Sequence, residues 1–174
     1  NKGIELGLSA NPVRSRNFNW DVNVNFSRNR NKVISLREGL TEIVIGSHFG
    51  YVGSTVTMKY VPGSAVGNLY GSSLLRYYGD KTDDKNTVDK DLPLQIATTG
   101  SNAGFPIYDP TQRILGNSQP KWIGGISNSF TYKNFNLSFL FDTQQGQFRY
   151  NQLENFMAAF GIADYTENRN ETIV

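Results

Sequence analysis

The feature that most constrains this chain is a pair of alternating segments that meet at Lys133-Asn134. In residues 122–132 and 135–141 every second residue is mostly apolar and often aromatic, and the residues between them are mostly small or polar. A period of two is typical of β-strands whose two faces lie in different environments. Asn128 interrupts the apolar series, and Ile123 interrupts the polar one.

A two-residue loop at Lys133-Asn134, with Asn134 adopting a positive φ, would join the two strands in a β-hairpin. The expected register pairs Tyr132 with Phe135, Phe130 with Leu137, Asn128 with Phe139, Ile126 with Phe141, Ser129 with Ser138 and Gly125 with Asp142. A slip of one residue would set every aromatic side chain opposite a polar one, so the pattern specifies a single pairing.

A second pair of strands is predicted near the start of the chain. Residues 2–10 and 18–29 alternate in the same way, and the turn-like stretch 11–17 lies between them. With strands near 121–132 and 135–143, this gives four clear strands. Residues 30–120 are richer in Gly, Asp, Asn, Thr and Ser and lack clean alternation, which indicates a long excursion with local β structure. Helical spacing of Leu153, Phe156, Met157 and Phe160 predicts one short amphipathic helix.

Composition excludes several functional classes. The 174 residues include no cysteine and one histidine, His48, which we expect to be an ordinary loop residue; disulfide scaffolds, thiol nucleophiles and His-rich metal sites are excluded. Seventeen Lys and Arg against fifteen Asp and Glu form no basic stripe, so no nucleic-acid partner is expected. The chain has no glycine-rich phosphate motif and no acid pair at catalytic spacing, so we expect no cofactor and no enzymatic activity.

Two folds explain strands with one apolar and one polar face. The first is a soluble antiparallel sandwich, such as a secreted carbohydrate-binding module that uses exposed tyrosines. The second is a transmembrane β-barrel with its apolar face toward lipid. The barrel is favoured because aromatic residues lie toward the strand ends, because Asn, Ser and Gly dominate the polar faces, and because short and very long connections alternate.

The connections also set the topology. The strand at 18–29 follows a short turn, and the strand at 121–132 leads into one. An even number of membrane-crossing strands must therefore lie between these two strands. Residues 30–120 are therefore predicted to be mostly extracellular, since the charged tract at 78–91 cannot lie in hydrocarbon. Four to seven strands cannot close a barrel of the usual minimum of eight, so the chain is expected to be a portion of a larger barrel.

Specific sequence motifs resemble one family. The stretch RILGNSQPKWIGGISNSFTYKNFNLSFLFD, residues 113–142, resembles the C-terminal signature of the SusC/RagA-type TonB-dependent outer-membrane transporters. Residues 2–33 resemble the preceding pair of strands in that family, with GIEL, NP and FNWDVNVNFS elements. PGSAVGNLYG, residues 62–71, is similar to a loop segment of the family, with Ala65 in place of the usual Pro.

The resemblance implies an all-β fold, in which antiparallel strands form part of a transmembrane β-barrel of about 22 strands with long extracellular loops and an N-terminal plug. It implies a nutrient importer of the bacterial outer membrane that takes up oligosaccharides or peptides. The expected partners are outer-membrane lipid, a SusD-like surface lipoprotein, and TonB, contacted through an N-terminal region. We expect the plug and the TonB-contacting segment to lie outside these 174 residues.

The candidate site residues are polar groups on the strands. Glu5, Asp21, Asn23, Asn25 and Asp142 are expected to face the barrel lumen, where they would wet the interior, hydrogen-bond the plug or bind substrate hydroxyls. Tyrosines of the excursion could stack on sugar rings; they are Tyr51, Tyr60, Tyr70, Tyr77, Tyr78 and Tyr108. Acidic residues between Asp80 and Asp91 match an EF-type calcium loop poorly, because Lys85 takes the place of the turn glycine, and a solvated loop is expected.

Overall fold

The computed structural model describes residues 1–48, 56–79 and 88–167. Within these ranges the chain forms two four-stranded sheets in which every paired strand is antiparallel. The first sheet contains β1 (Lys2–Arg14), β2 (Phe18–Arg30), β7 (Trp122–Tyr132) and β8 (Phe135–Gln145), in the order β1-β2-β7-β8. The all-β antiparallel fold expected from the sequence is confirmed, and the number of strands in a complete barrel stays a prediction.

The hairpin of β7 and β8 has the register that the alternation specifies. All six expected pairs are present, from Tyr132 opposite Phe135 to Gly125 opposite Asp142. The expectation that Asn134 takes the positive φ is wrong, because Lys133 takes it instead, with φ of 52°. A positive φ at the first central position only is typical of a type II′ turn, which also suits the twist of a hairpin.

The first connection is shorter than the turn-like stretch at 11–17 suggested. β1 continues to Arg14. Ser15 then closes a tight turn, because its Oγ accepts a hydrogen bond from the backbone N–H of Phe18 at 3.0 Å. The register shifts between Ala10 and Val13, so Asn11 and Pro12 form a bulge in the strand. A bulge is one of the few strand positions that tolerates proline, which cannot donate to the ladder.

The long excursion between β2 and β7 contains a second sheet. Its strands are β3 (Ile43–His48), β4 (Val56–Tyr60), β5 (Asn68–Leu74) and β6 (Tyr108–Asn117), in the order β3-β4-β5-β6. Register shifts interrupt the β3–β4 and β5–β6 pairs. Because a bulge reverses the side-chain alternation beyond it, these strands lack a clean two-faced pattern in the sequence. His48 lies at the end of β3, in a strand and not in the expected loop.

β2 and β7 pair directly, although about ninety residues separate them, so the excursion leaves the first sheet and returns to the adjacent position. After β8, the predicted helix is present as α1 (Gln152–Ala159). The Asn151 side chain caps it, because Oδ1 of Asn151 accepts a hydrogen bond from the N–H of Glu154 at 3.1 Å. A short 3-10 helix, Asp164–Thr166, follows.

Burial differs between the sheets. Among the described residues, the buried apolar side chains Val56, Leu69 and Tyr70 belong to the second sheet. On the first sheet, Leu6 is 63% exposed and Phe141 66% exposed. The first sheet therefore presents a broad apolar face that the described part of the chain does not cover.

Candidate functional site

The five candidate residues lie on one face of the first sheet. Within a strand, alternate residues share a face, and the pairing carries that face across β1, β2, β7 and β8. Ser27 pairs with Glu5, Asn25 pairs with both Gly7 and Gly125, and Gly125 pairs with Asp142. We call this the polar face; it carries Glu5, Asp21, Asn23, Asn25 and Asp142. The structure thus brings together residues that are up to 137 positions apart in the chain.

A row across the middle of the polar face consists of Gly7, Asn25, Gly125 and Asp142. A Cβ added at Gly125 would lie 2.5 Å from Oδ1 of Asn25 and 3.3 Å from Oδ1 of Asp142. The Asn25 amide oxygen therefore lies over Gly125, on the neighbouring strand. Glycine at position 125 is required for this close approach because any side chain would displace the amide.

The other polar-face candidates have different surroundings. Asp21 lies opposite the bulge in β1, and its carboxylate accepts a hydrogen bond from Nδ2 of Asn11. Asn23 lies between Ser9 and Ser127 on the neighbouring strands. None of the three acids, Glu5, Asp21 and Asp142, forms an ion pair with another residue in the described ranges. The polar face is thus an open, hydrogen-bonding surface without the charge pairing of a soluble sheet.

The opposite face, here called the apolar face, is aromatic and continuous. Trp20 stacks on Phe130 with ring centroids 5.6 Å apart, Phe130 lies 6.0 Å from Phe139, and Phe26 lies 6.0 Å from Trp122. On β2 the apolar residues run from Phe18 to Phe26, about 26 Å along the strand at 3.3 Å per residue. A strand tilt of about 40° would reduce this to about 20 Å, close to the apolar band of an outer-membrane barrel.

Asn128, which breaks the apolar pattern in the sequence, has a specific partner. Its side chain is 7% exposed, and its Oδ1 accepts a hydrogen bond from Nε1 of Trp20 at 3.1 Å. Each group satisfies a polar atom that would otherwise lie within the aromatic face. The residue that interrupts the apolar pattern therefore forms a cross-strand hydrogen bond between β2 and β7.

In the second sheet, one ion pair joins Lys59 of β4 to Glu42, which directly precedes β3, and another lies within β6. Nζ of Lys59 lies 2.8 Å from Glu42 and 4.9 Å from the ring centre of Tyr70. Nε of Arg113 lies 3.2 Å from Oδ2 of Asp109, with both side chains less than 10% exposed. Burial acts to raise the pKa of Asp109, but hydrogen bonds from the Thr111 hydroxyl and N–H, together with Arg113, outweigh it and hold that pKa below its ordinary value.

The tyrosines of the excursion do not form one surface. Tyr77 and Tyr108 are exposed, whereas Tyr70 is buried beneath Lys59. Tyr60 and Tyr78 are intermediate in exposure, and Tyr51 lies outside the described residues.

The calcium motif considered above is only partly within the described ranges. Asp80, Asp83, Asp84 and Asn86 lie outside them. Asp89 accepts from the backbone N–H of Asp91 at 3.1 Å, a local turn contact. Within the described ranges there is no group of three or more His, Cys, Asp or Glu side chains that could hold a metal ion.

A cavity that the sequence analysis did not predict lies between the ends of the two sheets. This junction cavity has a volume of about 320 Å³. The end of β2, the start of β5, the end of β6, the turn into β7 and the residues after β8 line it. Arg30 and Lys121 are among the lining residues. The signal that could have found them is positional, since Arg30 ends β2 and Lys121 directly precedes β7, the strand that pairs with β2, on the side of the long excursion.

Among the described residues, no helix is long and apolar enough to cross a membrane. No protein-family model matches the sequence.

Three TonB-dependent receptors of Formosa agariphila are similar to this chain. One is 28% identical over 149 residues, which cover 84% of this chain and 15% of the receptor. Another is 29% identical over 154 residues, which cover 87% of this chain and 15% of that receptor. A third is 26% identical over 183 residues, which cover 84% of this chain and 17% of that receptor. The chain thus spans 15–17% of the length of the relatives it matches.

The fold is similar to part of a solved structure, that of the RagAB peptide transporter. The TM-score is 0.51 at 18% sequence identity, and the match covers 83% of this chain and 15% of the solved one. This likeness concerns the fold, because the identity is low.

Over most of its length the chain is similar to a segment of TonB-dependent receptors, and its all-β antiparallel fold is similar to part of a solved transporter structure. The resemblance to SusC/RagA-type TonB-dependent receptors that the motifs indicated is confirmed, as a match to part of such receptors.

Proposed function

We propose that this chain forms part of the wall and the extracellular loops of the β-barrel of a TonB-dependent nutrient importer in the bacterial outer membrane. The observation that carries the proposal is the first sheet, with its uncovered aromatic face on one side and its polar face on the other. In a barrel of this kind the apolar face meets lipid and the polar face lines the lumen.

A soluble sandwich explains the exposure pattern less well. A sandwich covers the apolar face of each sheet with the other sheet, so that side chains of both interdigitate in a core. Here Ile4, Leu8 and Phe135 of the first sheet are at least 60% exposed, and no second sheet within the described ranges covers them. The secreted carbohydrate-binding module therefore remains the second candidate, favoured by the exposed rings of Tyr77 and Tyr108 alone.

The proposed mechanism is gated passage, without covalent chemistry. Glu5, Asp21, Asn23, Asn25 and Asp142 would face the lumen and offer hydrogen bonds to the plug or to hydroxyl and amide groups of the cargo. TonB would supply the energy for import by contacting an N-terminal region of the complete receptor. A SusD-like surface lipoprotein would cover the extracellular side, where the second sheet and α1 would lie. The cargo class is oligosaccharides or peptides.

The test is uptake by the full-length receptor in its own host. Cells that lack the gene, cells that express it and cells that express a form without the TonB-contacting segment should be compared with labelled oligosaccharides and peptides. The proposal predicts uptake of at least one cargo class that requires both the receptor and the TonB contact. Uptake of every cargo tested that is unchanged by deletion of the gene would contradict it.

A further inference from the structure

The charged residues of the first sheet are divided between its two faces. All the acids of its four strands lie on the polar face; they are Glu5, Asp21 and Asp142. Three of the four cations in these strands lie on the apolar face instead; they are Lys2, Arg28 and Arg30. Arg28 and Arg30 continue the series of alternate residues that contains Phe26, and Lys2 joins this face because it pairs with Arg30. The apolar face therefore carries positive charge and no acid.

The three cations form one group at a single end of the apolar face. Lys2 lies directly opposite Arg30 in the β1–β2 ladder, and Arg28 lies opposite Ile4 on the same face. All three cations are exposed, and none forms an ion pair or a side-chain hydrogen bond with another described residue. Like charges directly opposite each other destabilise a strand pair, so this group favours a negative partner outside the chain.

At the other end of the sheet the cations are placed differently. Arg14 pairs with Asn19 and so lies on the polar face. Arg16 and Lys133 belong to the two short turns, and Nζ of Lys133 lies 5.4 Å from the ring centre of Tyr132. The cationic group of the apolar face therefore marks one membrane surface, the one on the side of the long excursion that we expect to be extracellular.

The position of the group agrees with the headgroup layer of a bilayer. Arg28 and Arg30 follow Phe26, the last aromatic residue of β2, by about 7 and 13 Å along the strand at 3.3 Å per residue. A strand tilt of about 40° reduces these distances to about 5 and 10 Å along the membrane normal. The headgroup layer is about 5–7 Å thick on each side of the hydrocarbon. Trp122, which stacks on Phe26, is the kind of residue that is enriched at this boundary.

We propose that Lys2, Arg28 and Arg30 bind the phosphate of an anionic lipid in the outer leaflet. Guanidinium groups bind phosphate oxygens through paired, charge-assisted hydrogen bonds. The adjoining apolar face, where Ile4 and Leu6 are at least 60% exposed, offers the carbon surface on which the acyl chains of the same lipid lie. A lipid supplies both a negative headgroup and a nonpolar tail, whereas free phosphate supplies only the charge. This inference rests on the proposed function and adds a lipid preference to it.

The test identifies the lipid that lies beside Ile4, the exposed residue opposite Arg28. The full-length receptor, with Ile4→Cys as its single cysteine, carries a fluorophore at that position and is reconstituted in phosphatidylcholine vesicles. Quenching is compared between a minor component of spin-labelled phosphatidylglycerol and one of spin-labelled phosphatidylcholine. We expect phosphatidylglycerol to associate at least about fivefold more strongly, because each basic residue near an anionic surface contributes about that factor. Salt at about 1 M should reduce this preference, since charges are then screened beyond about 3 Å.

Variants assign the preference to the cationic group. Lys2→Gln, Arg28→Gln and Arg30→Gln together should make the two lipids associate equally. Arg28→Lys and Arg30→Lys together keep the charge and should retain most of the preference. Arg14→Gln is the matched control, because it makes the same charge change on the polar face at the other end of the sheet, and it should change nothing.

Equal quenching by the two lipids in the receptor that carries all three cations would overturn the inference. A preference that the triple variant keeps, or that survives high salt, would overturn it too. In each of these cases lipid still quenches the label, so the assignment of the apolar face to lipid would stand. Quenching by neither lipid would instead show that Ile4 does not face lipid, and would contradict the proposed barrel wall itself.

Discussion

The hydrogen bond between Trp20 and Asn128 permits a quantitative test of how the apolar face is built. Trp20→Phe keeps most of the ring stacking on Phe130 but leaves the buried Oδ1 of Asn128 without its donor at 3.1 Å. An unsatisfied buried acceptor costs about 1–3 kcal/mol. Asn128→Leu in the same chain removes that acceptor, so the double variant should be less destabilised than the sum of the two single variants.

The expected coupling free energy is about 1 kcal/mol, because side-chain hydrogen bonds in membrane proteins average about 0.6 and reach about 1.7 kcal/mol. The assay is guanidinium unfolding of the full-length receptor in lipid vesicles, with the folded fraction measured by electrophoretic mobility. Trp122→Phe is the matched control, since Trp122 stacks on Phe26 and its indole makes no hydrogen bond among the described residues. A Trp20–Asn128 coupling within about 0.3 kcal/mol of zero would refute the reasoning.

Three further predictions concern the faces and the loops. Val22→Arg on the apolar face should cost about 2–4 kcal/mol and reduce folded receptor, whereas Asn23→Arg should cost little, measured by the same assay. Because the folded pKa of Asp109 is lowered, its ionised form should stabilise the second sheet above about pH 4 and lose this effect as pH falls through the folded pKa. Asp109→Asn should weaken that pH dependence, measured by hydrogen exchange in 108–117. An epitope tag after Ser101 should be accessible on intact cells.

The first sheet could be predicted from the sequence because its side-chain period is uninterrupted. From Trp122 to Asp142 the alternation and the short loop leave one register, and the structure has that register. Even the exception is informative, since Asn128 breaks the pattern and forms a cross-strand bond with Trp20. That bond could not be predicted because it joins residues 108 positions apart, through the β2–β7 pairing.

The errors in the first sheet are local and have physical causes. The proline at position 12 indicated a turn, but the bulge between Ala10 and Val13 accommodates it and β1 continues to Arg14. At the hairpin, the residue type suggested a positive φ at Asn134, whereas the turn geometry places it at Lys133. Residue preference is weaker than the twist that the paired strands impose.

The second sheet and the junction cavity were beyond sequence reasoning for a related reason. The register shifts within β3–β4 and β5–β6 remove the alternation by which strands are recognised. The cavity depends on contacts between five separate stretches, such as that of Phe148 with Gly116. The five lumen candidates do share a face, but whether that face lines a lumen is still a prediction.

The most direct test of the central proposal is the environment of two adjacent residues on β2. The chain has no cysteine, so Val22→Cys and Asn23→Cys can each carry a spin label in the full-length receptor in lipid. We expect the label at 22 to be accessible to dissolved oxygen in the bilayer and the label at 23 to be accessible to a water-soluble relaxing agent. Equal accessibility at both positions, or the reverse pattern, would contradict the assignment of the apolar face to lipid and of the polar face to the lumen.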